Sequence, residues 1–82
     1  MNLIIDCSHF SGTDLDMEVV AYACNNYGFT YPDDYKELSS EEWQWLADEA
    51  LEWMDGIARN SGYCYIIEDN SLYMDDYEEL SV

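Results

Sequence analysis

The sequence predicts an α+β fold in which a three-stranded, mostly antiparallel sheet packs on two helices, in the order β-α-α-β-β. Three observations carry this. A short apolar and β-branched run opens the chain, two stretches with helical period and capping residues come next, and YCYIIE-DNS-LYMD near the end reads as a hairpin. A lone hairpin is marginal in water, so the sheet is expected to recruit the opening run as its third strand. With 82 residues and no repeat or linker, the chain reads as a single domain over 1–82, with a thin core and no room for a deep cleft between lobes.

Residues 2–6, NLIID, form the first strand, and residues 8–13 a loop containing Gly12. Thr13 or Asp14 is expected to cap a helix over 15–27, with Asp14, Asp16 and Glu18 in the first turn, where the positive end of the helix dipole favours carboxylates. Gly28 ends it. Met17, Val20, Ala21, Ala23, Cys24 and Tyr27 share one face, while Leu15, Val19 and Tyr22 point elsewhere. Residues 29–38, FTYPDDYKEL, suit an ordered connection, with a brief strand at 29–31 or a turn of helix around 33–37.

The second helix has the clearest period. Ser39 followed by Glu42 fits a capping box, so the helix should begin there. At about 100° per residue, Trp43, Leu46, Ala47, Ala50, Trp53, Met54, Ile57 and Ala58 fall on one arc, with Leu51 at its margin. That arc is the expected core face. The opposite arc collects Glu41, Gln44, Asp48, Glu49, Glu52 and Asp55, and Trp45 stands among them in water. After the breaker Asn60-Ser61-Gly62, residues 63–68 form a strand, Asp69-Asn70-Ser71 the turn, and 72–75 the returning strand, with Ile66, Ile67, Leu72 and Met74 expected to touch the core.

Against 19 Asp plus Glu stand only Lys36 and Arg59, a formal charge of −17. Small soluble domains need a net charge of only about 2 to 8 in magnitude. The excess repels nucleic acid and anionic membranes, so neither is an expected partner; a basic protein surface is. Twelve of the acids (Glu41, Glu42, Asp48, Glu49, Glu52, Asp55, Glu68, Asp69, Asp75, Asp76, Glu78, Glu79) come after Ser39, which puts the working surface in the C-terminal half.

Catalysis finds no support. Paired carboxylates need a pocket that drives their pKa values apart, and exposed acids on so short a chain offer none. Cys7 and His9 stand two apart in a loop, a spacing that seldom gives a nucleophile–imidazole hydrogen bond. Cys7, Cys24 and Cys64 are odd in number and widely spaced, describing neither a disulfide nor a zinc framework. Residues 69–80 can be laid on a calcium loop, but Met74 replaces the glycine and Leu80 the bidentate Glu. Asp14-Leu15-Asp16-Met17-Glu18 opens a helix, whose backbone cannot wrap an ion. No cofactor and no metal is expected. The apolar opening lacks a basic start and ends at Asp6, so no signal peptide is read, and a reducing cytoplasm is the expected compartment.

The remaining reading is mimicry of nucleic acid charge. Positions three and four apart on a helix are neighbours, so Glu41, Asp48, Glu52 and Asp55 form a row of negative charge. Lys and Arg that neutralise DNA phosphates can bind such a row instead. The expected partner-binding residues are Glu41, Asp48, Glu49, Glu52, Asp55, Asp69, Asp75 and Asp76 as phosphate surrogates, with Trp45 as an apolar anchor.

The run LSSEEWQWLADEALEWMDGIARNSGYCYIIEDNSLYMDD, an acidic helix feeding a hairpin, together with the size and charge of the whole chain, resembles the small acidic inhibitors of phages and mobile elements. These include anti-CRISPR proteins, antirestriction DNA mimics and uracil-DNA glycosylase inhibitors. The resemblance implies a non-catalytic, stoichiometric inhibitor, monomeric or homodimeric, in a bacterial cytoplasm. Its target would be a CRISPR effector or restriction enzyme whose DNA-binding or PAM-reading site it blocks. The alternative is an acidic adaptor, chaperone or antitoxin-like protein that neutralises a small basic partner.

Overall fold

The computed structural model describes residues 2–77. Strand β1 (Asn2–Asp6) leads into helix α1 (Gly12–Tyr27). A short 3-10 turn (Tyr35–Glu37) precedes helix α2 (Ser40–Arg59), and strands β2 (Tyr63–Glu68) and β3 (Ser71–Asp76) close the chain. The sheet order is β1-β3-β2, and both pairings are antiparallel. This is the α+β architecture expected from the sequence, with the opening run recruited as the third strand.

Both helices begin at a reciprocal capping box. Ser39 and Glu42 form the one expected for α2, the Ser39 hydroxyl accepting the Glu42 N–H while the Glu42 carboxylate accepts the Ser39 N–H. In α1 the cap is Ser11, not Thr13 or Asp14. The Ser11 hydroxyl accepts the Asp14 N–H, and the Asp14 carboxylate accepts the Ser11 N–H, each at 3.2 Å. Aspartate thus fills the position that glutamate takes in the commoner box. Gly28 ends α1 in the left-handed conformation (φ 69°), and its N–H donates to the Ala23 carbonyl.

The core face of α1 is rotated from the expected one. Leu15, Val19, Val20 and Ala23 are buried, and Met17 is exposed. The reason is tertiary: α1 lies against both the sheet and α2, and the burying arc is the one that faces both. The start of α1 (Gly12, Thr13) lies beside the start of α2 (Ser40, Glu41), and the Tyr27 carbonyl at the end of α1 accepts from the Trp53 indole further along α2, so α1 and α2 run in the same general direction. The connection doubles back along them, with Tyr31 and Tyr35 rings 4.8 Å apart. It contains the 3-10 turn and no strand.

On α2, Trp43, Ala47, Ala50, Met54 and Ala58 are buried as the period predicts. Trp53 and Ile57, expected in the core, are 49% and 42% exposed. α1 has ended at Tyr27, and beyond it Phe29 leans on Trp53, so among the described residues this flank of α2 is left partly open.

The hairpin turns through Asp69 and Asn70, whose φ values of 52° and 55° suit the two-residue type I′ connection. Ser71 therefore belongs to β3, opposite Glu68. Because side chains alternate along a strand, Ile66 and Ile67 cannot both face the helices. Tyr65 and Leu72 are buried on the helix side. Ile67, opposite Leu72, shares that side but lies at its open end and is 43% exposed. Ile66 lies on the other face in register with Tyr73 and Leu3. The Asn70 side-chain amide donates to the carbonyls of Cys7, Phe10 and Ser11 at 2.7, 3.0 and 3.1 Å, fastening the turn to the loop before α1.

Candidate functional site

The outer surface of α2 holds most of the residues the sequence singles out. Glu41, Trp45, Asp48, Glu49 and Glu52 are all exposed there, and the Trp45 indole is 63% exposed. With Glu42 they place five carboxylates between residues 41 and 52. At 1.5 Å per residue that is a span of about 16 Å, or about one charge per 3 to 4 Å of axis. One strand of duplex DNA carries a phosphate about every 3.4 Å. The row is therefore close to a single strand in linear charge density.

Asp55 departs from the row. One carboxylate oxygen accepts the Tyr65 N–H at 3.0 Å and the other pairs with Arg59 at 2.8 Å. It ties α2 to the sheet and is not a free surrogate for phosphate. Helical period places it with the other acids because it sits on their arc, but β2 returns beside that edge of the helix. Arg59 in turn lies over the Tyr77 ring at 4.8 Å, so one of the chain's two cations is committed to holding this end together.

The remaining expected residues lie at the two ends of the sheet. Asp69 is exposed at the hairpin turn, next to Asn70, which borders a hollow with Ser40 and Glu41 at the start of α2. Asp75 and Asp76 sit at the far end of β3, where Asp76 N–H donates to the Asp75 carboxylate at 2.9 Å. The structure brings Glu41, Trp45, Asp48, Glu49 and Glu52 onto one surface and leaves Asp69 and the Asp75–Asp76 pair flanking it. The acids Glu78 and Glu79, and Leu80 of the calcium-loop comparison, lie outside the described residues.

Comparison with family models, with curated proteins and with solved structures finds no match to this chain. The site's own geometry therefore carries its interpretation.

Asp16, on α1, faces this surface across the groove between the helices. Burial, and then the negative charge of Asp48, raise its carboxyl pKa above the ordinary value. Asp6 is shifted the other way, held down mainly by the Ser8 N–H and hydroxyl and also by Ser71. Cys7 and Cys24 are free thiols pushed up by burial, which makes them poor nucleophiles. Among the described residues no group of three or more His, Cys, Asp or Glu side chains is placed to hold a metal ion. Residues 69–75 form a tight turn and a strand, which cannot wrap a cation. No described helix is long and apolar enough to cross a membrane.

Sequence reasoning missed one part of the surface. Phe29, Trp53, Gly56 and Ile57 line an apolar hollow on the outer flank of α2, rimmed by Glu49 and Glu52. The signal was Gly56, a glycine within a helix of strong period.

Proposed function

We propose that the chain is a stoichiometric inhibitor that presents nucleic-acid-like charge to a basic DNA-binding protein and occupies the site where DNA would lie, with a CRISPR effector or another defence nuclease as its target. The observation that carries this reading is the exposed carboxylate row of α2, near the mean linear charge density of a DNA strand and flanked by the exposed Trp45. Lys36 lies over the Tyr35 ring on the connecting segment and Arg59 is paired with Asp55, so neither cation neutralises the row. Binding would be fast and salt-sensitive, as charge-steered association is. The mechanism is exclusion, and the chain performs no chemistry of its own.

The test replaces Asp48, Glu49 and Glu52 together by Asn, Gln and Gln. Charge is removed at nearly constant shape, without the repulsion that charge reversal adds. Purified protein is titrated into a panel of CRISPR ribonucleoproteins and restriction enzymes bound to fluorescent target duplex. Release of the duplex at about one inhibitor per enzyme is expected, weakened at least tenfold in the triple variant. Undiminished potency of the variant removes this face from the interface. Binding to a small basic protein with no effect on DNA occupancy would favour the adaptor reading instead.

A further inference from the structure

Gly56 is unexplained by anything among the described residues. It lies within α2, where glycine lowers helix stability relative to alanine. Positive φ among the glycines is confined to Gly28 and Gly62, so the backbone at Gly56 has no need of it. A Cβ built there would meet nothing within 4 Å, so no described neighbour needs the space. The missing side chain opens a hollow between Phe29, Trp53 and Ile57 on the solvent side.

The wall of that hollow is fastened by contacts within the chain. The Trp53 indole N–H donates to the Tyr27 carbonyl at 2.9 Å, and its ring leans on Phe29 with centroids 6.3 Å apart. A second hollow, formed by Trp45 and Leu46 with Pro32 and Leu38, lies on the other side of Glu49, which borders both. Trp45, Glu49, Trp53 and Ile57 succeed one another at four-residue steps, the ridge by which helices commonly pack on other helices. Trp45 and Trp53 are about 12 Å apart along the axis, close to two turns of a helix laid against them. A nucleic acid is repelled by the rim; a cationic element with apolar side chains two turns apart fits both the rim and the hollows.

We infer that this ridge docks a basic amphipathic helix of the partner, one aliphatic side chain entering the hollow over Gly56, another beside Trp45, and arginines meeting Glu49 and Glu52. The inference rests on the reading of α2 as the docking face and names the element that face receives. Arginine is the better cation here because its guanidinium pairs with a carboxylate and stacks on an indole at once. The carboxylates then govern encounter, and the hollows govern how long the complex lasts.

The probe is a synthetic eighteen-residue helical peptide with leucines in a stripe two turns long and arginines on both flanks. A second peptide has the leucines replaced by serine at unchanged charge. Each is titrated calorimetrically against the wild-type protein, Gly56→Ala and Gly56→Leu, and thermal unfolding of the three proteins is followed in parallel. The leucine peptide is expected to bind wild type at least tenfold more tightly than the serine peptide. Gly56→Leu should abolish that preference and Gly56→Ala reduce it, while both variants unfold at higher temperature than wild type. Opposite signs for binding and stability are an outcome that a purely structural glycine cannot produce. Equal affinity of the two peptides, failure of the leucine peptide to bind, or an unchanged preference in Gly56→Leu overturns the inference. If the preference stands and the duplex-release assay fails, the inhibitor reading falls and the docked helix remains. If duplex release stands and the preference is absent, the charged row alone makes the interface.

Discussion

Replacing Asp55 separates the part of α2 that holds the fold together from the part that faces outward. β2 ends the sheet, and its Tyr65 N–H is taken by the Asp55 carboxylate at 3.0 Å. The ion pair with Arg59 is largely in water, the Arg59 side chain being 51% exposed, and such i,i+4 pairs contribute about 0.3 to 0.5 kcal/mol. Leaving a part-buried N–H without its charged acceptor costs about 1 to 3 kcal/mol. Asp55→Ala should therefore lose about 2 kcal/mol. Asp55→Asn keeps an oxygen for the Tyr65 N–H and should lose about 0.5 kcal/mol, mainly the ion pair. For a domain of this size 1 kcal/mol moves the midpoint by about 4 to 8 °C, so the alanine variant should melt about 8 to 16 °C lower. Urea titration followed by circular dichroism gives the free energies, with Asp48→Ala as an exposed comparator expected within about 0.5 kcal/mol of wild type. Faster amide exchange at Tyr65 in the alanine variant should accompany the loss. If Asp55→Ala and Asp48→Ala prove equally stable, Asp55 is one more surface charge and does not tie the helix to the sheet.

Three further outcomes rest on the same geometry. Asp16 has a raised pKa, so the folded state holds its proton more tightly than the unfolded chain; its contribution improves as pH falls from neutral through the folded value and levels off near the ordinary carboxylate value. Asp16→Asn should accordingly be more stable than wild type at pH 7, with the gap closing in acid, as read by urea titration across pH; a variant less stable at pH 7 contradicts this. Asn70→Ala loses the donor to three carbonyls and puts a Cβ-bearing residue without a polar side chain at φ 55°, so about 2 to 3 kcal/mol should be lost on thermal unfolding, while Asn70→Gly should recover the conformational part only. Ser11→Ala and Ser39→Ala should each lower stability by about 1 kcal/mol in urea titration and add in the double variant, because each cap serves its own helix.

Local chemistry makes much of this fold legible. Ser39 with Glu42, Gly28 after Tyr27, and Asp69-Asn70-Ser71 between two β-forming runs act through atoms a few residues apart, so the pattern alone locates the second helix, the end of the first and the hairpin, though Ser71 itself joins β3. The start of α1 is equally local, yet the pattern does not single out Ser11, because aspartate at Asp14 can be read either as a cap or as the partner of one. The acidic arc of α2 and the exposure of Trp45 also come from helical period and the near absence of basic residues.

Which elements form, in what order, and with what sign of surface charge depend on spacing, capping and composition, and all three are written along the chain. The width of each buried arc, and the neighbours at its edges, were settled only when the elements packed together. Packing turned Asp55 from a surface charge into a tie to β2, left Trp53 and Ile57 half in water where α1 stops, and made a hollow of Gly56. A helical wheel ranks directions around one axis, but it carries no information about where a neighbouring helix ends or a distant strand returns.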